Sequence, residues 1–447
     1  MPVEKTLGTA SMMGAATVVL LVSIISLTPL LAGTARAETK FIVEPMIVLA
    51  GAYDSNLYRT ETNEREAYTF TITPGIELGV ETPKAEVSLF YNLEAYFYED
   101  KDSVPEGESP VDDENYVGHL AILDALWSPV ERLTLGLNDS FYITRRPFDA
   151  DRFANSTERE KYWVNRFTPG LYYEFKNRFA LGARYRRTDI DYDDTEEYDT
   201  LEHRGLFNLI YNPQRTLTLD LDYQVWTQES ADALLDDEYT SNQLQLLLEK
   251  RYKYFAFGGG IGYHNREFTG DGGEDDPAFE DAEVVNWIVS VTGQNPMPPV
   301  QKRRLSLDFQ RLRSHMYFAA EQNFNNLGYY YDLFEATRYT GSVGHVFYHK
   351  FHGILRGYYQ ISDYQHYAGE TPSGSTEMRE DETWDYAAIL RYLWTEKMSI
   401  VLMGGHLERD SNLAGLDYKN DYAFLGFEIN YDIGKRGPFS IEASYYR

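Results

Sequence analysis

The sequence predicts an all-β protein, a transmembrane antiparallel up-and-down β-barrel of the outer-membrane type with about eighteen strands. Three observations predict it. Apolar and polar residues alternate with period two over long segments, and the connections between those segments alternate short and long. Basic residues collect in the short connections, acidic residues in the long ones.

The composition agrees. Aromatic residues make up 15% of the 447 residues, and tyrosine alone contributes 37. A barrel uses aromatics as girdles where its apolar outer band meets water, and it keeps a polar lumen behind the wall. The net charge of −29 repels nucleic acid, which removes that partner class. The absence of cysteine removes disulfides, thiolate nucleophiles and thiolate metal sites.

Residues 1–37 read as a secretory signal peptide. Lys5 gives a weakly positive start, an apolar run extends from Ala15 to Leu27, and Ala35-Arg36-Ala37 is a small-x-small cleavage site. The domain plan is a signal peptide at 1–37 and an outer-membrane barrel over 38–447. No later stretch is apolar for long enough to be a membrane helix. A membrane-bound product must then close as a barrel, the other form that satisfies every backbone group in lipid.

Strands follow from Phe41 onward. Leu217, Leu219, Leu221, Tyr223 and Val225 share one face, against Thr218, Asp220, Asp222 and Gln224. Leu244, Leu246 and Leu248 oppose Gln243, Gln245 and Glu249. Leu305, Leu307 and Phe309 oppose Ser306, Asp308 and Gln310, and Ala423, Leu425, Phe427 and Ile429 oppose Gly426, Glu428 and Asn430. Helical spacing fits none of these runs. The segments exceed the roughly 9 to 11 residues a tilted strand needs to cross the hydrocarbon. A β-propeller blade would fit four short strands where this chain fits two long ones.

The short connections are Thr82–Lys84, Ser128–Glu131, Lys176–Arg178, Asn212–Arg215, Arg251–Lys253, Asn295–Pro299, His349–Lys350 and Thr395–Lys397. They and their flanks hold Lys84, Arg132, Arg178, Arg215, Arg251, Lys350 and Lys397. The long connections hold Asp112-Asp113-Glu114, Asp193-Asp194, Asp236-Asp237-Glu238, Glu274-Asp275-Asp276 and Glu380-Asp381-Glu382. Barrels of this type put short turns in the periplasm and long loops outside. Counting hairpins to Ile433 gives about eighteen strands, yet Gly437–Tyr446 reads as one more, through Phe439, Ile441, Ala443 and Tyr445. An odd number conflicts with the even counts of bacterial barrels. The loop holding Gln322–Asn326 and Tyr329–Tyr331 is aromatic, and folded inward it narrows the pore.

Catalytic constellations are missing. The nine histidines show no H-E-x-x-H spacing, and no G-x-S-x-G elbow occurs. His345, His349 and His352 flank a short turn and read as solvated. The acidic loop from Gly270 to Asp276 lacks the spaced ligands of an EF-hand. The reading is therefore no enzyme, no metal and no cofactor. Function is expected in the lumen, where alternation places Arg184, Arg186, Asp220, Asp222, Gln224, Gln243, Gln245, Asp308, Gln310, Glu428 and Asn430. Carboxylate, guanidinium and amide groups bond well to hydrated solutes such as sugars; bracing of the wall is the competing role.

Two short motifs carry a resemblance. Near the mature start stand Tyr53, Asp54, Ser55 and Asn56; near the end stand Arg409, Asp410, Ser411 and Asn412, followed by Asp417-Tyr418-Lys419-Asn420. Together they resemble the β-barrel porin 2 family of outer-membrane proteins. The resemblance implies localisation in the cell outer membrane and a passive conduit for export of an extracellular polysaccharide, working with periplasmic export proteins. Outer-membrane lipid and lipopolysaccharide would surround such a barrel. A general or sugar-selective diffusion porin is the alternative. The motif residues themselves read as loop-entry caps, since Asp and Asn bond the turning backbone.

Overall fold

The computed structural model describes residues 39–430 apart from 105–108, 147–152, 154–156, 158, 176–177, 194–198, 231–237, 269–280, 296–313, 326–332 and 396. The signal peptide, the strand expected at 305–310 and the segment 437–446 lie outside the described residues.

The chain is strand after strand. The first half runs β1 (Lys40–Asp54), β2 (Ala67–Glu81), β3 (Ala85–Asp100), β4 (Tyr116–Val130), β5 (Leu133–Thr144), β6 (Tyr162–Phe175), β7 (Phe179–Tyr192), β8 (Thr200–Gln214) and β9 (Leu217–Ser230). The second runs β10 (Tyr239–Arg251), β11 (Phe255–Phe268), β12 (Ala282–Val284), β13 (Trp287–Asn295), β14 (Ser314–Phe324), β15 (Phe334–Phe347), β16 (Phe351–Glu370), β17 (Thr376–Thr395), β18 (Met398–Ser411) and β19 (Tyr418–Asn430). Apart from β12 and β13, consecutive strands pair antiparallel, and β1 pairs with β19 from Met46↔Asn430 to Asp54↔Tyr422. The sheet is thus a closed ring with no free edge along the paired length. β12 and β13 both pair with β11 and are parted only by Val285 and Asn286, so they are one interrupted strand. Taken so, the described wall has eighteen strands.

The ends of the ring differ, and the sequence explains why. At one end β2–β3, β4–β5, β8–β9, β10–β11 and β15–β16 are joined by turns of a few residues. At the turn Phe347–Phe351, Tyr348 and His349 take positive φ. Longer connections, 55–66, 101–115 and 145–161 among them, lie at the other end. The alternation sorts the two faces. Outward positions carry Leu221, Tyr223, Leu244, Leu246, Phe207, Leu209, Leu402 and Leu425, all exposed. A belt of exposed aliphatic and aromatic side chains is stable only against acyl chains. The architecture is that of an integral outer-membrane β-barrel. Among the described residues no helix is long and apolar enough to cross a membrane.

One acidic run is placed otherwise than expected. Glu380-Asp381-Glu382 is not in a loop: β16 and β17 extend as a hairpin of 20-residue strands, and the run lies within β17. Alternation continues through it. Asp381 points inward and is fully buried, while Glu380 and Glu382 sit on the opposite face.

Candidate functional site

The candidate site is the lumen wall. On β7, β8 and β9 the inward positions hold a continuous polar network. Arg186 donates to Glu202 from Nε at 3.1 Å and Nη2 at 2.8 Å. Glu202 also accepts from Arg204 Nη2 at 2.5 Å, and Arg204 Nη1 donates to Gln224 at 3.3 Å. Gln224 donates to Asp222 at 2.7 Å. Asn208 donates to Asp222 at 2.6 Å and to Asp220 at 3.4 Å, and accepts from Arg184 at 3.5 Å. Gln243 and Gln245 on β10 pair across from Gln224 and Asp222. Seven of the eleven residues expected to line the lumen therefore meet on one wall. Glu202, Arg204 and Asn208, on β8 between them, were not singled out; the even-numbered polar positions opposite Phe207 and Leu209 were the available signal.

The other candidates stand elsewhere. Glu428 on β19 is buried at the short-turn end, where Ser399 Oγ donates to it at 2.5 Å and Arg391 lies 3.5 Å away. Asn430 closes the same strand, its backbone N–H donating to Lys397 O at 2.9 Å. Asp308 and Gln310 lie outside the described residues.

Near the long-loop end a second chemistry appears. Arginines stack on inward aromatic rings around the wall: Arg159 on Tyr98 at 5.2 Å, Arg204 on Trp226 at 3.9 Å, Arg266 on Tyr239 at 4.2 Å, Arg338 on Tyr358 at 3.8 Å, Arg379 on Tyr364 at 4.2 Å and Arg409 on Tyr418 at 4.6 Å. Stacking leaves the guanidinium edge available for hydrogen bonds while its face is covered. Arg379 uses that edge on Asp381, donating from Nε at 3.1 Å and Nη2 at 2.7 Å.

One residue sits across the opening from its own strands. Phe153 belongs to the connection between β5 and β6, yet it is 1% exposed and packs on Phe334, Ala336 and Tyr364 of β15 and β16. Gln360 Nε2 on β16 donates to its carbonyl at 3.1 Å. Between the two attachment points lie β6 to β15 on one side and β16 through β5 on the other, nine strands each with β12 and β13 as one. Phe153 is thus anchored diametrically opposite its own strands. The aromatic loop expected to fold inward, Gln322–Tyr331, is described only to Asn325. That residue is buried, holds Phe334 N at 3.2 Å, and accepts from Arg266 at 2.9 Å through its carbonyl.

The wall opposite the polar network carries an apolar patch. Val48, Ala50, Ile354, Ala387, Ile389, Val401, Met403 and Phe424, from β1 and β16–β19, form one inward cluster. At that level the lumen is two-sided, with charge and amide on β7–β10 and hydrocarbon on β16–β1; nearer the long loops the inward face of β17 carries Arg379, Asp381 and Asp385, and toward the short turns Arg391 and Glu428 face inward.

The motif residues sit at the strand tops. Ser55 Oγ accepts from Asp421 N at 2.7 Å, and Asn420 Oδ1 accepts from Asn56 N at 3.0 Å. Asn420 Nδ2 donates to Asp54 at 3.2 Å, which ties β1 to β19. The Asn56 side chain donates to Thr60 O at 2.7 Å and accepts from Thr60 N at 3.1 Å. Asn412 does the like for β17, accepting from Glu380 N at 2.8 Å and donating to Met378 O at 2.6 Å. Ser411 N donates to Asp417 at 2.7 Å, and Arg409 Nε to Leu416 O at 2.8 Å. Tyr53 OH donates to Glu66 at 2.5 Å. Asp410 points outward from β18 and is exposed.

No protein-family model matches the chain, and no curated protein matches it in sequence. Among solved structures it is similar to the outer membrane protein OpdK from Pseudomonas aeruginosa, at 12% identity over 87% of this chain and 99% of that one, with a TM-score of 0.45. It is also similar to OccAB2 from Acinetobacter baumannii, at 11% identity over 88% and 98% of the two chains and a TM-score of 0.47, and to OccK7 (OpdD) from Pseudomonas aeruginosa, at 11% identity over 88% and 99% and a TM-score of 0.47.

Proposed function

We propose that the protein is a passive diffusion channel of the outer membrane for small hydrated solutes, sugars foremost. The observation that carries this reading is Phe153, anchored on the wall opposite its own strands. A residue anchored across the opening from its own strands suits small solutes better than a polymer. The polar network supports it too: Arg184, Asn208, Asp220 and Asp222 offer donors and acceptors to water and hydroxyl groups at one level of the lumen. Transport needs no chemistry here, only a solvated path. The test is conductance of the purified barrel in planar bilayers, with liposome swelling in sugars of increasing size. Stepwise open channels and a sharp size limit are expected; a silent, heat-modifiable barrel would sink the reading.

A second reading, export of an extracellular polysaccharide, is favoured by the two Asp-Ser-Asn motifs and their resemblance to the β-barrel porin 2 family. Aromatic rings near the long-loop end suit stacking on sugar faces. Deleting the gene discriminates. Loss of surface polysaccharide with unchanged small-solute permeability supports export; the reverse supports diffusion.

A further inference from the structure

On its lipid-facing side β5 presents Leu135, Leu137, Asp139, Phe141 and Ile143 in succession. Asp139 thus has apolar residues above and below it on its own strand. Among the described outward-facing positions it is the one carboxylate so placed. Its hydrogen-bond donor is neutral: Asn165 Nδ2 on β6, at 2.8 Å. On the same face of β7 stand Arg187 and Asp189, joined at 3.1 Å, and the Arg187 side chain is 49% exposed. Charge on the lipid face of a barrel destabilises it in proportion to depth. A patch of this kind is relieved when another protein surface replaces the acyl chains.

The strand register identifies the surface that fits. Asp139 pairs with Phe167 across β5 and β6, and Phe167 pairs with Arg187 across β6 and β7. The negative and positive groups flank Phe167 in one row. A two-fold axis along the membrane normal, passing by Phe167, sets Asp139 of each copy beside Arg187 of the other. That is the self-complementarity of an isologous interface. With strands about 4.8 Å apart and tilted by about 40°, the two ends of the row differ in depth by about 6 Å. An arginine side chain spans that offset. Phe141 and Trp163, with ring centroids 6.1 Å apart, supply packing surface beside the row.

We propose that the outward face of β5–β7 is a contact between two copies of this chain, closed by reciprocal Asp139–Arg187 ion pairs around Phe167. The partner is a second copy because the patch carries both signs of charge, arranged so that it complements itself.

The chain has no cysteine, so F167C introduces a single thiol close to the axis. Oxidising outer membranes that carry F167C gives a covalent dimer, while L246C, elsewhere on the belt, stays monomeric. Adding D139R or R187D to F167C lowers the cross-linked yield roughly tenfold, and adding both restores it. Heat-modifiable gel mobility confirms that each variant is folded. The wild-type barrel in mild detergent has the mass of two chains by light scattering. A monomeric mass, or cross-linking at F167C no greater than at L246C, overturns the proposal. So does a monomer whose copurifying lipopolysaccharide is lost in R187D, because lipid then occupies this face.

Discussion

Asp381 shows how little of a residue's fate its own identity decides. An acidic run between strands looks like a solvated loop, and Glu380-Asp381-Glu382 was expected to be one. The deciding signal was the alternation on either side: Arg379, Asp381, Thr383 and Asp385 all face inward and all are buried. Asp381 is 0% exposed, holds Arg379 in two-atom contact and lies 4.0 Å from Arg409. Removing one partner of a buried pair costs on the order of 3–5 kcal/mol, because the other charge stays behind uncompensated. Asp381→Ala should therefore lower stability by about that much, read as an earlier urea midpoint for loss of the folded gel band. Phe153 acts at the same scale. Phe153→Ala gives up a buried aromatic worth about 3–5 kcal/mol of anchorage. Single-channel conductance should rise and the 145–161 connection should become protease-sensitive; unchanged conductance would mean that Phe153 does not limit the path. No local pattern announces Phe153, since its partners are on β15 and β16, far away in sequence.

Elements were more legible than residues. Period-two alternation located β9, β10 and β19, and short basic connections located the turns, because a half-buried strand and a tight turn each leave a local signature. Contacts between loops leave none. The connection 55–66 meets 101–115 through Glu66, which accepts from Tyr53 and pairs with Lys101. Lys101 and Tyr53 hold the Glu66 carboxyl below its ordinary 4.5 and Glu66 raises the Lys101 amine. A depressed folded-state value means the contact stabilises fully above the ordinary carboxylate range and is lost as pH falls through the depressed value. Acidification below the ordinary carboxylate range should then loosen these two loops before the wall. Hydrogen exchange in 55–66, compared with β9, checks this, and E66Q should remove the pH dependence. Gly405 matters to its element for a different reason. Its inward side is filled by the Tyr422 ring, whose hydroxyl donates to Asp385 at 2.7 Å. Any Cβ there displaces that ring.

At the scale of the whole molecule, charge follows the architecture. The chain carries −29; the short turns are basic at Lys84, Arg215 and Lys253, and in the long connections carboxylates outnumber the arginines and lysines, so the long-loop mouth is the acidic one. A channel with that mouth should prefer cations at about 0.1 M salt, where the Debye length is about 10 Å, and lose the preference at about 1 M, where it is about 3 Å. Reversal potentials across a salt gradient measure this, and anion preference at low salt would refute it. The facing of a polar network on β7–β10 by an apolar patch on β16–β1 is also a property of the whole. Each strand's alternation says only which residues face inward, and ring order decides which of those faces meet.

The seam has a final consequence. β1 and β19 are neighbours, stitched by Asp54, Ser55 and Asn56 to Asn420 and Asp421. A ring has no first member. A gene in which position 430 is spliced through a short linker to position 40, and which starts anew at Lys350, encodes the same circle of neighbours. Such a permuted chain should assemble into a barrel of unchanged conductance, because order around the circle, not order of synthesis, is what the side chains specify.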